Sequence, residues 1–184
     1  MSREEMSGFF LKMKGGAKSP PGVGMVEIIW SWLGSSIGIG LCGYLSAKYF
    51  EPRDLSLIIG SFGASAVLVY AAIKSPLAQP RNLLGGHILS ALVGVVCYKF
   101  FGDTLWIASA LSVSIAITVM LFTKTLHPPG GATALIAVIG GKKVHDLGFL
   151  YALVPAGLGA VLLLIIALVV NNISKQRKYP EYWF

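Results

Sequence analysis

The residues best able to do chemistry in this chain stand at two interruptions of apolar sequence. One is Ser75-Pro76-Leu77-Ala78-Gln79-Pro80-Arg81-Asn82, followed by Gly85-Gly86-His87. The other is Lys124-Thr125-Leu126-His127-Pro128-Pro129-Gly130-Gly131-Ala132-Thr133. Pro76, Pro80, Pro128 and Pro129 lack an N–H and act as structural breaks. Gly130 and Gly131 carry no Cβ, so a ligand can approach their backbone closely. A short helix is expected over 132–141. Its first N–H groups would have no partner within the helix and, with the helix dipole, would suit an anion. The Thr133 hydroxyl adds a donor, and Lys124 and His127 stand just before it. At the first break Arg81 and Asn82 offer the same electrostatic sense, with His87 on the following helix.

No acidic residue lies between Asp54 and Asp103. An arginine at membrane depth is costly without a partner, so Arg81 must snorkel, cap carbonyls or neutralise a bound anion. Ser61 and Ser65, on a small-residue face, are further candidate donors. Together these residues describe an electropositive interior lined by hydroxyls and amides. His87 and His127 can carry protons, because histidine titrates near neutrality; a hydrogen-bonded packing role is the commoner use of such a residue. Three histidines without a cysteine or carboxylate cluster give no metal site, and no cofactor is expected. Enzymatic constellations are also missing: the carboxylates lie in tails, connections or span ends, and no phosphate-binding loop with lysine occurs. The same scarcity argues against a cation pathway.

The elements that would position these residues are membrane helices. The chain has 184 residues, 55% hydrophobic and 12% charged, with a mean hydropathy of +0.73. Soluble domains carry about 25% charged residues. In the bilayer every backbone group must pair internally, which leaves helices or a closed barrel. The apolar runs are continuous rather than alternating, so a barrel is excluded. The fold class is therefore all-α: a polytopic transmembrane helical bundle with broken or re-entrant helices. Irregular backbone inside a membrane survives only where protein or water covers it, and transporters place their sites there.

Residues 1–25 read as a cytoplasmic tail with a Phe9-Phe10-Leu11 surface patch, 26–173 as the transmembrane domain, and 174–184 as a basic, aromatic tail. Apolar segments cover 26–47, 55–73, 85–101, 104–123, the short 132–141, and 148–171, the last kinked at Pro155. Glu51-Pro52-Arg53-Asp54 reads as a hydrated connection. Gly34 and Gly38 have the spacing that lets helices approach closely. The 79–94 and 127–140 stretches echo one another, and an internal repeat is one reading of that echo. The formal net charge of +7 is concentrated in the tails. This is a topology or lipid-contact signal, and no nucleic-acid partner is needed to explain it. Counting 132–141 as part of a crossing gives six crossings and the better positive-inside balance, with both termini cytoplasmic. Treating it as re-entrant gives five. Cys42 and Cys97 lie in apolar segments and suggest no disulfide.

The chain resembles the HPP family of integral membrane proteins, named for the run that stands here as His127-Pro128-Pro129. Gly60-Ser61-Phe62-Gly63-Ala64-Ser65, the 75–87 stretch and the tail Arg177-Lys178-Tyr179-Pro180-Glu181-Tyr182-Trp183 are similar to its other signatures. The resemblance implies a compact helical membrane domain, described as four spans, and nitrite transport, with which chloroplast and cyanobacterial members are associated. Some members carry a CBS-domain extension, which is not expected here. With no plastid-type transit sequence, a bacterial plasma membrane is expected. These readings converge on a transporter or channel for a small monovalent anion, nitrite first, assembled as a homo-oligomer. The alternatives are a carrier of another small anion or neutral solute, and a scaffold or sensor subunit without a pore.

Overall fold

The computed structural model describes residues 3–53 and 55–184, with side chains from residue 8 onward. Asp54, named above, lies outside that description.

Among the described residues, four helices are long and apolar enough to cross a membrane: Met25–Arg53, Pro80–Phe101, Leu105–Phe122 and Lys142–Ile173. Two shorter apolar helices, Ser61–Ala71 and Pro128–Ile139, complete the set. Among the described residues all regular structure is helical. We label the elements α1 (Arg3–Lys12), α2 (Met25–Leu45), α3 (Ser61–Ala66), α4 (Pro80–Phe101), α5 (Leu105–Phe122), α6 (Pro128–Ile139), α7 (Lys142–Leu147) and α8 (Leu158–Ile173).

Contacts at the helix ends fix the order in which the chain traverses the bundle. Arg177, after α8, pairs with Glu27 at the start of α2 at 3.3 Å. Tyr179 donates to Ala78 O at 2.7 Å, just before α4. His127, just before α6, bonds Leu77 O. The starts of α2, α4 and α6 and the end of α8 therefore share one end of the bundle. The other end is marked by Tyr98 near the close of α4, which stacks on His145 of α7 with ring centroids 3.6 Å apart. Six segments run between the two ends, and two of them are not full helices. The second combines the irregular stretch 55–60 with the 61–71 helix, which rises about 16 Å. The fifth is α6, whose 12 residues rise about 18 Å; α7 finishes its traverse. Four full helices and two partial ones account for the six apolar segments, and the start of α2 and the end of α8 lie at one end.

The breaks differ in detail from the sequence expectation. α6 begins at Pro128, not at 132, so Gly130 and Gly131 lie inside its first turn. α4 begins at Pro80, not at Gly85, which puts Arg81 and Asn82 on a helix. In both cases a proline occupies the first helical position, where its missing N–H costs nothing and its φ is already helical. The residue before each proline is forced extended: Gln79 has ψ 157° and His127 ψ 104°. The expected kink at Pro155 is present, with Val154 taking non-helical angles (φ −137°, ψ 119°) for the same reason. The two echoing stretches start at the same end of the bundle and run side by side.

Small residues set the spacing. Gly34 and Gly38 of α2 lie against the Tyr70 ring, whose hydroxyl donates to Leu163 O at 3.0 Å. Gly86 of α4 lies against His127 and the Thr125 carbonyl, and Gly130 of α6 against Gly86 O. α4 and α6 therefore touch backbone to backbone at the level where the histidines sit.

The C-terminal tail packs on the bundle. Arg177 is 5% exposed and donates to Tyr70 O. Burial pulls its guanidinium down from the usual range, and Glu27 opposes that. Glu181 N donates to Gln79 Oε1 and Tyr182 Oη to Pro76 O. Tyr182 and Tyr179 thus satisfy the carbonyls of Pro76 and Ala78 in the 72–79 break, as irregular backbone in a membrane protein requires. In α1, Phe9, Phe10 and Leu11 are exposed, as the surface-patch reading expects.

Candidate functional site

Where α3, α4 and α6 meet, five side chains with no more than 1% exposure form one hydrogen-bonded chain. Ser65 Oγ stands between two imidazoles, 2.7 Å from His87 Nε2 and 2.9 Å from His127 Nε2. His87 Nδ1 is 2.7 Å from Thr133 Oγ1, which is 2.8 Å from Ser61 Oγ. His127 Nδ1 lies 2.7 Å from Leu77 O.

Each member is positioned by local sequence. Ser61 and Ser65 are four apart on α3, hence on one face. Phe62, on the same helix, meets His87 edge-on with centroids 5.3 Å apart and is wedged against Gly159 of α8. His87 lies roughly 10 Å along α4 from its start. Thr133 also contacts Pro129 O at 3.2 Å, and its own carbonyl accepts from Tyr151 Oη at 3.1 Å. His127 is held by the extended backbone that Pro128 imposes, so the His-Pro-Pro run aims an imidazole into the bundle.

Proton positions follow from acceptor capacity. Leu77 O can only accept, so His127 Nδ1 carries a hydrogen. Thr133 Oγ1 donates to Ser61 Oγ, so His87 Nδ1 carries a hydrogen and donates to Thr133. With both rings neutral, each Nε2 is then an acceptor facing Ser65 Oγ, whose single O–H serves one of them at a time.

The structure brings Ser61, Ser65, His87, His127 and Thr133 together from the candidate list. Asn82 stands beside them: its Nδ2 donates to Leu126 O at 2.9 Å, which ties the α5–α6 turn to α4, and its buried Oδ1 has no protein partner. Gly130 and Gly131 are placed differently from the open backbone expected. Gly130 N donates to His127 O at 2.8 Å, and a Cβ there would stand 2.6 Å from Gly86 O. Its missing side chain admits a helix. Gly131 faces the other way, along an apolar groove that includes Val113, Ile117 and Pro128.

Among the described residues, the side chains of Arg81 and Lys124 have no hydrogen-bond partner. Lys124 is exposed in the α5–α6 turn with φ +56°. Arg81 is half-buried in the first turn of α4, its Nε enclosed without a protein partner. The cationic groups therefore sit at the end of the bundle, and the interior is a neutral array of imidazoles and hydroxyls. Of the four break prolines, Pro80 and Pro129 are buried, Pro76 and Pro128 exposed.

Sequence reasoning missed Ser90, Tyr151 and the tail clamp. Ser90 lies on the His87 face of α4, one turn on, with a buried hydroxyl that has no protein partner; that spacing was readable. Tyr151 had no local signal, because the turn that delivers it follows a left-handed Gly148 (φ +51°).

The helices and their buried polar centre define a polytopic, all-helical integral membrane protein. The chain matches the family described as HPP, transmembrane region, across residues 20–180, and it belongs to that family. It is 48% identical over 179 residues to a transmembrane protein of Dictyostelium discoideum, covering 96% of this chain and 57% of that one. A second transmembrane protein of the same organism is 45% identical over 170 residues, covering 91% and 59%. The chain thus spans less than two thirds of the length of either relative. These relatives are from an amoeba and lend no support to a bacterial membrane. No solved structure matches the chain.

Proposed function

We propose that this protein is a membrane transporter or channel for a small monovalent anion, with nitrite the first candidate, acting through the α3–α4–α6 centre. The observation that carries the reading is the buried array Ser61–Thr133–His87–Ser65–His127, fed by hydroxyl and imidazole donors and with no carboxylate among the described residues bonded into it. α4 and α6 both direct their N-terminal, positive dipole ends to the same end of the bundle. Arg81, Lys74 and Lys124 stand at that end too, so anions are concentrated there before any enters. The described acidic residues lie at span ends or beyond them: Glu27, Glu51, Asp103, Asp146 and Glu181. A cation would meet no counter-charge at the centre. Nitrite itself is supported only by the resemblance to family members associated with it. No reaction chemistry is assigned. The balance of Lys and Arg favours cytoplasmic termini.

A scaffold or sensor role is the second reading. It is favoured by the enclosure of the array, whose groups direct most of their hydrogen bonds to each other. Uptake of nitrite into proteoliposomes, with nitrate, formate and urea as competitors, separates the readings. Saturable nitrite entry above empty vesicles, blocked by anions and not by urea, is the expected result. Correctly folded protein giving no entry of any of these solutes refutes transport.

A further inference from the structure

The array has a feature that an anion site does not require: a hydroxyl placed between two imidazoles. Ser65 Oγ is within 2.9 Å of both His87 Nε2 and His127 Nε2, so the hydroxyl bridges two rings whose centroids are 5.2 Å apart. Each outer nitrogen is committed. His87 Nδ1 faces Thr133 Oγ1, and His127 Nδ1 faces Leu77 O in the turn at the bundle end. The line thus runs from mid-bundle to the end where Arg81 and Lys124 gather.

We propose that His87, Ser65 and His127 form a proton relay, making the protein a proton–anion symporter; this rests on the transport reading above. The transfer balances. With His87 doubly protonated, its Nε2–H bond breaks as a new O–H forms on Ser65. The old Ser65 O–H breaks as Nε2–H forms on His127. One proton and one positive charge move from His87 to His127, and Ser65 is regenerated with its hydrogen on the opposite side. No described carboxylate adjoins this line of groups, so a proton on either ring has no fixed counter-ion among the described residues. The entering anion supplies it, and a proton and an anion are each cheaper to hold in this interior together than alone. The titratable groups facing the line are few. α4 gives His87 and the α6 cap gives His127. The 148–152 turn gives Tyr151, whose hydroxyl is spent on Thr133 O. α3 gives none. Arg81 and Lys74, on the flanking segments, bond to no atom of it.

The test uses wild-type protein in vesicles with a trapped pH dye at neutral pH, after subtraction of empty vesicles to remove passive nitrous acid entry. The expected result is lumen acidification in step with nitrite uptake, one proton per anion. An inward proton gradient should accelerate uptake, and an imposed membrane potential should not. Ser65→Ala should reduce the gradient-driven rate about 100-fold, the scale of a lost proton-transfer group, while Ser65→Thr should retain it. Nitrite uptake without acidification, or uptake driven by potential, overturns the relay and leaves transport standing. Absence of uptake by wild type overturns the transport reading itself. If Ser65→Ala fails to fold, the wild-type stoichiometry still decides.

Discussion

Gly130 and Gly131 are adjacent and chemically identical, yet alanine should act oppositely at the two. At Gly130 the new Cβ would meet Gly86 O at 2.6 Å, Ser90 Oγ at 2.8 Å and Met120 Sδ at 2.9 Å. The first of these is backbone and cannot rotate away. Restoring an ordinary carbon–oxygen contact of roughly 3.3 Å requires α4 and α6 to part by about 0.7 Å. Overpacking of this kind costs about 1–3 kcal/mol, against a gain of about 1 kcal/mol from helix propensity. At Gly131 the nearest atom is Val113 Cγ1 at 3.8 Å, an ordinary contact, so the propensity gain stands alone. Gly131→Ala should therefore be about 2 kcal/mol more stable than Gly130→Ala, with wild type between. Cys42 and Cys97 are buried and free, so a thiol-reactive dye reports unfolding on heating in detergent. The two variants should melt on opposite sides of wild type, several degrees apart. Equal melting, or a Gly130→Ala protein at least as stable as wild type, would refute the backbone contact and restore the reading of Gly130 as room for a ligand.

Other outcomes follow from the same contacts. Arg177→Met should lower stability by about 1–3 kcal/mol in the same assay, because Tyr70 O and Glu27 lose their partner; unchanged melting would show that the tail does not brace the 72–79 break. Arg81→Gln and Lys124→Gln should raise the half-saturating anion concentration several-fold with little change in maximal rate, and raised ionic strength should shrink the difference. A collapse of maximal rate instead would place either cation inside the permeation site. Tyr151→Phe removes one donor to Thr133 O and should cost about 1 kcal/mol, with a modest loss of flux; no change in melting would show that this bond carries no load.

The sequence reading located the right segments and misjudged what some of them do. Apolar runs and proline positions gave the six segments, and the Gly34/Gly38 spacing gave a close approach, because each depends on local chemistry. The interruption at Gln79-Pro80 and His127-Pro128 was legible for the same reason. Its consequence was not. Two prolines at a helix start remove the very N–H groups an anion would use, and Gly130 gives its own N–H to His127 O. The five-member array joins residues as far apart as Ser61 and Thr133, a pairing that depends on which helices become neighbours. Arg177 read as a charged tail residue, whereas α2 and the first break enclose it. Only the long-range pairing of Tyr179 with Ala78 and of Arg177 with Glu27 reveals that.

The central claim is that the buried array handles the transported anion, and Thr133 tests it most directly. Its hydroxyl links the histidine pair to Ser61, and Thr133→Val removes that link at nearly constant volume. Uptake of isotopically labelled nitrite should be compared for wild type, Thr133→Val and Thr133→Ser in proteoliposomes, each shown by melting to be folded. The account expects saturable uptake by wild type, near-wild-type uptake by Thr133→Ser, and a loss of 10-fold or more, about 1.4 kcal/mol, in folded Thr133→Val. Folded Thr133→Val transporting as fast as wild type would contradict it.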